Sequence, residues 1–164
     1  MSHTMAGARG TVKDRDEVLR QAQSWAAAKG SEVLLADASV VFGRDHLESA
    51  ALHAERAQAQ GSMATRSVSM EALLYLAGQR QVADAIRIAG IKDDTETVAL
   101  VVFGGAPIDD LLAVLRWPRD DGVLEAGGKT LRVLGLTRAA ERTVSADRVT
   151  DLALEKTALV DLEK

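Results

Sequence analysis

Few residues in this sequence are spaced for acid–base or metal chemistry. His46 and His53 lie seven positions apart in a segment with helical spacing of its apolar residues, which separates them by roughly 10.5 Å along the helix axis. One metal ion cannot bridge that distance, and no third ligand lies near them in the sequence. A Ser–His–Asp triad built on Asp45 and His46 lacks a serine in a strained elbow motif. We therefore predict a non-enzymatic chain with no catalytic residue, no metal site and no cofactor.

Two glycine-rich segments resemble phosphate-binding loops only in part. Residues Gly122–Thr130 approximate the pattern Gly-x4-Gly-Lys-Thr, but the first glycine of that pattern falls on Val123. Such a loop should follow a strand and open a helix, whereas two aspartates precede this one and a β-like run follows it. The pair Gly104-Gly105 does follow a strand, but Asp109 and Asp110 would repel an anion from the next helix. Both segments are predicted to be ordinary turns.

The composition indicates one intracellular domain. The chain has 164 residues, of which 47% are apolar, and it contains no cysteine, which excludes a disulfide framework and thiolate metal centres. No apolar run approaches the ~20 residues of a membrane span, and the first ten residues lack a signal-peptide pattern, so we expect a cytoplasmic protein without membrane contact. The net charge of −4 excludes a general nucleic-acid binder, yet a local basic patch contacting a few nucleotides remains compatible with it.

Hydrophobic periodicity predicts an α+β fold. Helices are expected over 14–29, 44–60, 67–77, 80–89, from Pro107 to about Trp117, and from Ser145 to about Leu159; strands are expected over 32–38, 97–103 and 130–136. Several connections are too short for regular right-handed βαβ units, so we predict a small, mainly antiparallel sheet covered by helices. Residues 1–10 are expected to be a flexible end or a first strand, with 1–4 frayed, and 11–164 to form one domain.

The most organised unit of the sequence is a helical hairpin broken at Gly78. Arg66, Arg80, Arg87 and Lys92 surround it, and residues 44–92 carry six basic against five acidic side chains in an otherwise acidic chain. Taken alone, this pattern is typical of a solvated helix face.

The hairpin also carries a specific motif. The stretch Glu71-Ala-Leu-Leu-Tyr-Leu-Ala-Gly-Gln-Arg-Gln-Val-Ala-Asp-Ala-Ile-Arg-Ile-Ala-Gly-Ile91 resembles the E-x-L-L-Y-x-x-G-x-R-Q-I-x-x-A-I-x-x-x-G-I stretch of the TPRKB-like small regulatory subunits of the KEOPS complex. Weaker similarities to the family lie at Leu35–Ala38 with His46-Leu47, at Leu134–Thr137 and at Leu152–Asp161. Val82 replaces the usual isoleucine, and residues 118–130 match nothing in the family pattern.

The resemblance implies a role in tRNA modification. The KEOPS complex installs the threonylcarbamoyl group on the adenosine beside the anticodon of ANN-decoding tRNAs, and a different subunit performs the transfer. The family resembled here is non-catalytic. It docks on a small kinase-like ATPase subunit and, in archaeal members, captures the 3′ CCA end of the tRNA. The transferase subunit is then an indirect partner.

The resemblance directs attention to the glycine break of the hairpin as an RNA site. Gly78 would let a ligand approach the backbone, Arg80 would meet a phosphate, and Gln81 would read a base edge. The predicted RNA-binding residues are Arg66, Ser67, Met70, Leu74, Tyr75, Gly78, Arg80 and Gln81. Core packing remains the alternative for Leu74 and Tyr75, and a helix-ending role is the alternative for Gly78.

The last helix is the predicted site for the kinase-like partner, because it is more apolar than one buried face requires. The predicted partner-binding residues are Leu152, Leu154, Ala158, Leu159 and Val160. A fully buried terminal helix is the alternative. Two other functions remain open: a protein-only regulator of the kinase-like subunit that never touches RNA, and a small-molecule enzyme whose pocket of perturbed titratable groups the sequence does not reveal.

Overall fold

A computed structural model of the protein describes residues 2–134 and 148–163. Its strands are β1 (His3–Arg9), β2 (Glu32–Asp37) and β3 (Thr97–Phe103). Its helices are α1 (Arg15–Ala28), α2 (Arg44–Gln60), α3 (Val68–Ala77), α4 (Val82–Ala89), α5 (Ile108–Leu115) and α6 (Val149–Glu163). Short 3-10 turns occur at Ala38–Val40, Asp121–Leu124 and Leu131–Leu134. None of these helices is long and apolar enough to cross a membrane.

The three strands form one sheet in the order β1-β3-β2, and both outer strands run antiparallel to β3. Val101 in the centre of β3 lies opposite Met5 on one side and Leu34 on the other. The α+β class with a small antiparallel sheet is therefore confirmed.

Helices cover both faces of the sheet because β3 is apolar at every position after its first. Its even-numbered residues, such as Leu100, pack with α1 and α5, whereas its odd-numbered residues, such as Val101, pack with α2, α3 and α4. Successive side chains of a strand point to opposite faces, so this uninterrupted run is buried on both sides. The result is a three-layer arrangement in which the helical hairpin α3–α4 lies on one face.

The chain start differs from the expectation of a frayed end over residues 1–4. His3 pairs with Phe103 and Thr4 with Val102, so β1 runs unbroken to Arg9. Its sequence is poor in β-branched residues. The strand forms because it completes the free side of β3, and strand preference depends on such tertiary partners more than on local propensity.

Residues 118–121, from the segment that matched no family pattern, cover part of the outer edge of β1. Arg9 donates its N–H to Pro118 O at 3.0 Å, and Asp120 donates its N–H to Gly7 O at 2.8 Å. Asp121 Oδ1 accepts the N–H of Gly7 at 3.0 Å. The segment therefore pairs an edge that would otherwise expose unpaired backbone groups.

The predicted strand over 130–136 is wrong where the structure describes it. Residues Leu131–Leu134 form a 3-10 turn instead, and Leu134 packs on Phe42 and Ala153 away from the sheet. The rest of that range, the end of the motif at Leu134–Thr137 and the expected helix start at Ser145 lie outside the described residues.

Candidate functional site

The turn between α3 and α4 is built by capping interactions. Ser67 Oγ accepts the N–H of Met70 at 3.2 Å and begins α3. Gly78 ends it with φ +64° and ψ 38°, a left-handed conformation that favours glycine. The N–H groups of Gly78 and Gln79 donate back to Tyr75 O and Leu74 O at 3.2 and 3.0 Å. Gly78 therefore ends helix α3, which is the helix-ending role that the sequence left open as the alternative to an RNA contact.

The structure brings Arg80 and Gln81 to the surface immediately after this turn, and both side chains are exposed. Arg66 is also exposed, while Ser67 and Met70 are half-buried. Gly78 itself is buried. The Lys156 side chain lies so near that a Cβ placed on Gly78 would be 2.4 Å from Lys156 Cγ. The expectation that Gly78 offers open backbone to a ligand is therefore wrong, since the Lys156 side chain of α6 covers it.

Leu74 and Tyr75 belong to the core, so the prediction that they line an RNA surface is wrong. Leu74 is 0% exposed and Tyr75 is 1% exposed. The Tyr75 ring stacks on His53 with ring centroids 5.0 Å apart, and its hydroxyl donates to Asp161. The cause is that α3 is apolar at every position over residues 72–77 and packs against α2, α4, α6 and the sheet together.

A buried carboxylate fixes the loop that carries Arg66. Glu71 is 0% exposed, and Glu71 Oε2 accepts the N–H groups of Ala64 and Thr65, each at 3.0 Å. The Thr65 hydroxyl lies 2.8 Å from the same oxygen. Because a buried carboxylate is costly without such donors, this loop is held in one conformation beside the start of α3.

Beside the hairpin lies a groove of about 230 Å³, here called the β2 groove. It runs along β2, on the side of the strand away from β3, between α1 and the α3–α4 hairpin. Apolar side chains dominate its lining, with Arg15, Asp16 and Gln23 as polar members. The residues that line it are Arg15, Asp16, Leu19, Gln23, Val33, Leu34, Leu35, Ser69, Met70, Leu73, Ile86, Gly90 and Ile91.

The groove contains one predicted site residue, Met70, and several that the sequence analysis missed. Ile86 lies on α4, the helix that starts just after Arg80 and Gln81, and it is 36% exposed. Leu19 belongs to α1, and no pattern in the sequence predicts that α1 lies beside the hairpin. The sequence does contain a pattern that predicts where Val82 and Ile86 lie. Their four-residue spacing places them on one side of α4, while Ala85 and Ala89 face inward.

The histidines on α2 have structural partners. His46 is 0% exposed, its Nδ1 accepts the N–H of Phe42 at 3.0 Å, and its Nε2 donates to Leu76 O at 3.2 Å. Burial lowers the pKa of His46 to about 4, so the ring is neutral near pH 7. Across residues 2–134 and 148–163, no three His, Asp or Glu side chains are placed to hold a metal ion.

The predicted partner helix α6 has one buried and one exposed side. Val160 is 0% exposed and packs in the core, so the prediction that it contacts a partner is wrong. Leu152 and Leu154 are half-buried. Ala158 and Leu159 are exposed, the latter by 41%, and Leu162 is 82% exposed. We call Ala158, Leu159 and Leu162 the α6 outer patch.

Comparison with known proteins identifies the family. Residues 11–116 match the family model described as "Kinase binding protein CGI-121". The chain belongs to the CGI-121 family. The match includes the hairpin and all the lining residues of the β2 groove, and it ends before α6.

Individual relatives support this assignment. The chain is 32% identical over 90 residues to "EKC/KEOPS complex subunit CGI121" of Yarrowia lipolytica, covering 55% of this chain and 53% of that protein. It is 32% identical over 76 residues to the Coccidioides immitis protein of the same name, covering 46% and 37%. The chain therefore spans about half the length, or less, of these fungal relatives. "Regulatory protein Cgi121" of Methanocaldococcus jannaschii is 29% identical over 135 residues, covering 82% and 87%.

Proposed function

We propose that this protein is a non-catalytic subunit of the KEOPS complex for tRNA threonylcarbamoyl-adenosine modification. In this role it binds the kinase-like ATPase subunit and recruits tRNA by its 3′ CCA end. Support for the complex comes from the names of its relatives, and support for a kinase-like partner comes from the family description. The observation that carries the RNA part is the position of exposed Arg80 and Gln81 at the start of the helix that lines the β2 groove.

The β2 groove suits an unpaired base better than a duplex. Single-stranded nucleotides bind through stacking on apolar surfaces and through hydrogen bonds to base edges. Met70 and Ile86 give the groove apolar walls, and Gln23 places an amide at its rim. A terminal nucleotide can enter such a groove, whereas a double helix is too wide for it.

The positively charged side chains around the hairpin suit contact with a few phosphates of an RNA tail. Arg80 is exposed just before α4 and Arg87 is exposed on α4, where it forms a long 3.5 Å ion pair with Asp84. Lys92 lies at the Gly90 end of the groove, where its ammonium donates to Gly90 O at 3.0 Å. An acidic protein can therefore hold a short RNA tail through a small local set of cations.

A tRNA comparison tests the RNA part. Purified protein is expected to bind tRNA that ends in CCA at least about tenfold more tightly than the same tRNA lacking those nucleotides, because only the first fills the groove. Arg80→Ala should weaken binding of the intact tRNA by about fivefold, as expected for one lost charged contact, with circular dichroism used to check that the variant is folded. Arg56→Ala, an exposed arginine on α2 that does not line the groove, is the matched control. Equal binding of the two tRNAs would refute recruitment through the 3′ end.

The second candidate is a protein-only regulator of the kinase-like subunit. The net charge of −4 and the presence of Asp16 on the groove rim favour it. It predicts co-purification with the kinase-like subunit together with no tRNA binding even at low salt. The two candidates therefore separate in one electrophoretic mobility assay run with and without the kinase-like subunit.

A further inference from the structure

The inner side of α6 contacts the α3–α4 turn at several points. Thr157 is 0% exposed, and its hydroxyl donates to Tyr75 O at 2.9 Å. The same carbonyl oxygen accepts the N–H of Gly78, the bond that ends α3. The buried Thr157 hydroxyl of α6 therefore binds the same Tyr75 carbonyl that accepts the Gly78 N–H in the turn.

A second contact lies one residue earlier on α6. The aliphatic part of Lys156 covers Gly78 closely, since a Cβ would lie 2.4 Å from Lys156 Cγ and 2.9 Å from its Cε and would have to displace that side chain. Gly61, which ends α2 with a similar φ of +67°, has nothing within 4 Å of the corresponding position. The left-handed helix ending therefore does not by itself bring another helix into contact with the glycine.

A third contact joins α6 to the side chain of Tyr75. Asp161 accepts the Tyr75 hydroxyl through Oδ1, and its Oδ2 lies 2.9 Å from His53 Nδ1. His53 in turn stacks on the Tyr75 ring. Helices α2, α3 and α6 are therefore joined around the residue that stands three positions before the turn.

We infer that α6 positions the RNA site: Thr157 and Lys156 hold the α3–α4 turn in the geometry that presents Arg80 and Gln81. This inference rests on the proposed RNA function. The two residues act through the turn and need not touch RNA themselves. Because the α6 outer patch is on the other side of the same helix, a partner bound there would contact the element that orients the RNA site.

The main test compares two glycine substitutions at helix ends. Gly78→Ala and Gly61→Ala introduce the same left-handed strain, but only the first forces Lys156 away. We expect Gly78→Ala to weaken binding of CCA-ending tRNA by about tenfold and Gly61→Ala to leave it unchanged, at temperatures where both variants are folded by circular dichroism. In the Gly78→Ala, Lys156→Ala double variant, the space is restored, so its tRNA affinity should return to that of Lys156→Ala alone.

A second variant avoids backbone strain. Thr157→Val keeps the side-chain shape but removes the donor to Tyr75 O, and we expect about fivefold weaker tRNA binding. Wild-type affinity in both folded Gly78→Ala and Thr157→Val would overturn the inference, as would a double variant that binds tRNA more weakly than Lys156→Ala alone. If the wild-type protein does not prefer CCA-ending tRNA, the proposed function itself fails, which is a distinct result.

Discussion

The imidazole of His46 completes the hydrogen bonds of two buried backbone groups. It accepts from Phe42 and donates to Leu76 O, which requires the neutral tautomer with hydrogen on Nε2. The sequence predicts no metal-binding or catalytic role for His46, but it gives no sign that the ring joins the start of α2 to the end of α3. That role depends on two backbone atoms brought together only by tertiary packing.

Acid should therefore weaken the fold through His46. Its pKa is about 4 when folded against 6.5 as the ordinary value, so the unfolded chain binds the extra proton as pH falls below 6.5. Stability is present above pH 6.5 and is lost toward pH 4, by about 3 kcal/mol for this group. Urea unfolding between pH 6.5 and 5 should show this slope in the wild type and a smaller one in His46→Gln. Equal slopes would contradict the assignment.

His3 has the opposite pH dependence. Burial lowers its pKa, but hydrogen bonds to Glu48 at 3.0 Å and Glu55 at 2.8 Å outweigh that effect, so the pKa is raised above 6.5. Both ring nitrogens face carboxylate oxygens, and both can donate only when the ring is protonated. The stability gained from this ion pair is full below pH 6.5 and is lost as pH rises through the folded pKa.

An NMR titration of the His3 ring checks this prediction. The pKa should lie above 6.5 in the wild type and should fall in Glu55→Gln, which keeps the side-chain shape but removes one charge. A His3 pKa at or below 6.5 would show that burial dominates.

At the scale of elements, the segment 118–124 depends on close approach to β1. A Cβ on Gly7 would lie 2.6 Å from both Asp120 O and Val123 Cγ2. Gly7→Ala must therefore displace the segment, and we expect a loss of about 2 kcal/mol in the free energy of unfolding. Gly105→Ala, which has nothing within 4 Å and an ordinary φ, should be nearly neutral in the same urea experiment. Similar stability of the two variants would mean that the segment is not held there.

The α6 outer patch provides a second prediction at this scale. Leu159→Glu should weaken binding to the kinase-like subunit by at least about tenfold without changing the melting temperature, because Leu159 is 41% exposed. Val114→Glu is the matched control, since Val114 is 50% exposed on α5 beyond the opposite face of the sheet. Unchanged partner binding by Leu159→Glu would place the interface elsewhere.

Elements with strong local signals were predicted well, and tertiary relations were not. Helix α2 and strand β3 have the predicted bounds because periodicity, a glycine at Gly61 and β-branched residues define them locally. Strand β1 was predicted only as the alternative to a flexible end, and the cover of Gly78 by Lys156 escaped prediction, since each depends on residues far away in the chain. The same reason explains why Leu74 and Tyr75 were placed on the wrong side of α3: an all-round apolar helix gives no sign of which side faces water.

For the molecule as a whole, the net charge of −4 limits how RNA can be bound. If Arg80, Arg87 and one further cation contact phosphates of a single-stranded tail, each contributes a slope of about −0.7 in a plot of log K against log salt concentration. We therefore expect a total slope of about −2 for CCA-ending tRNA, reduced by about 0.7 in Arg80→Ala. A wild-type slope steeper than about −5 would require contacts along the tRNA duplex and would contradict capture of the 3′ end alone. The apolar groove then supplies the rest of the affinity, which should persist at high salt and be reduced most by Ile86→Asp.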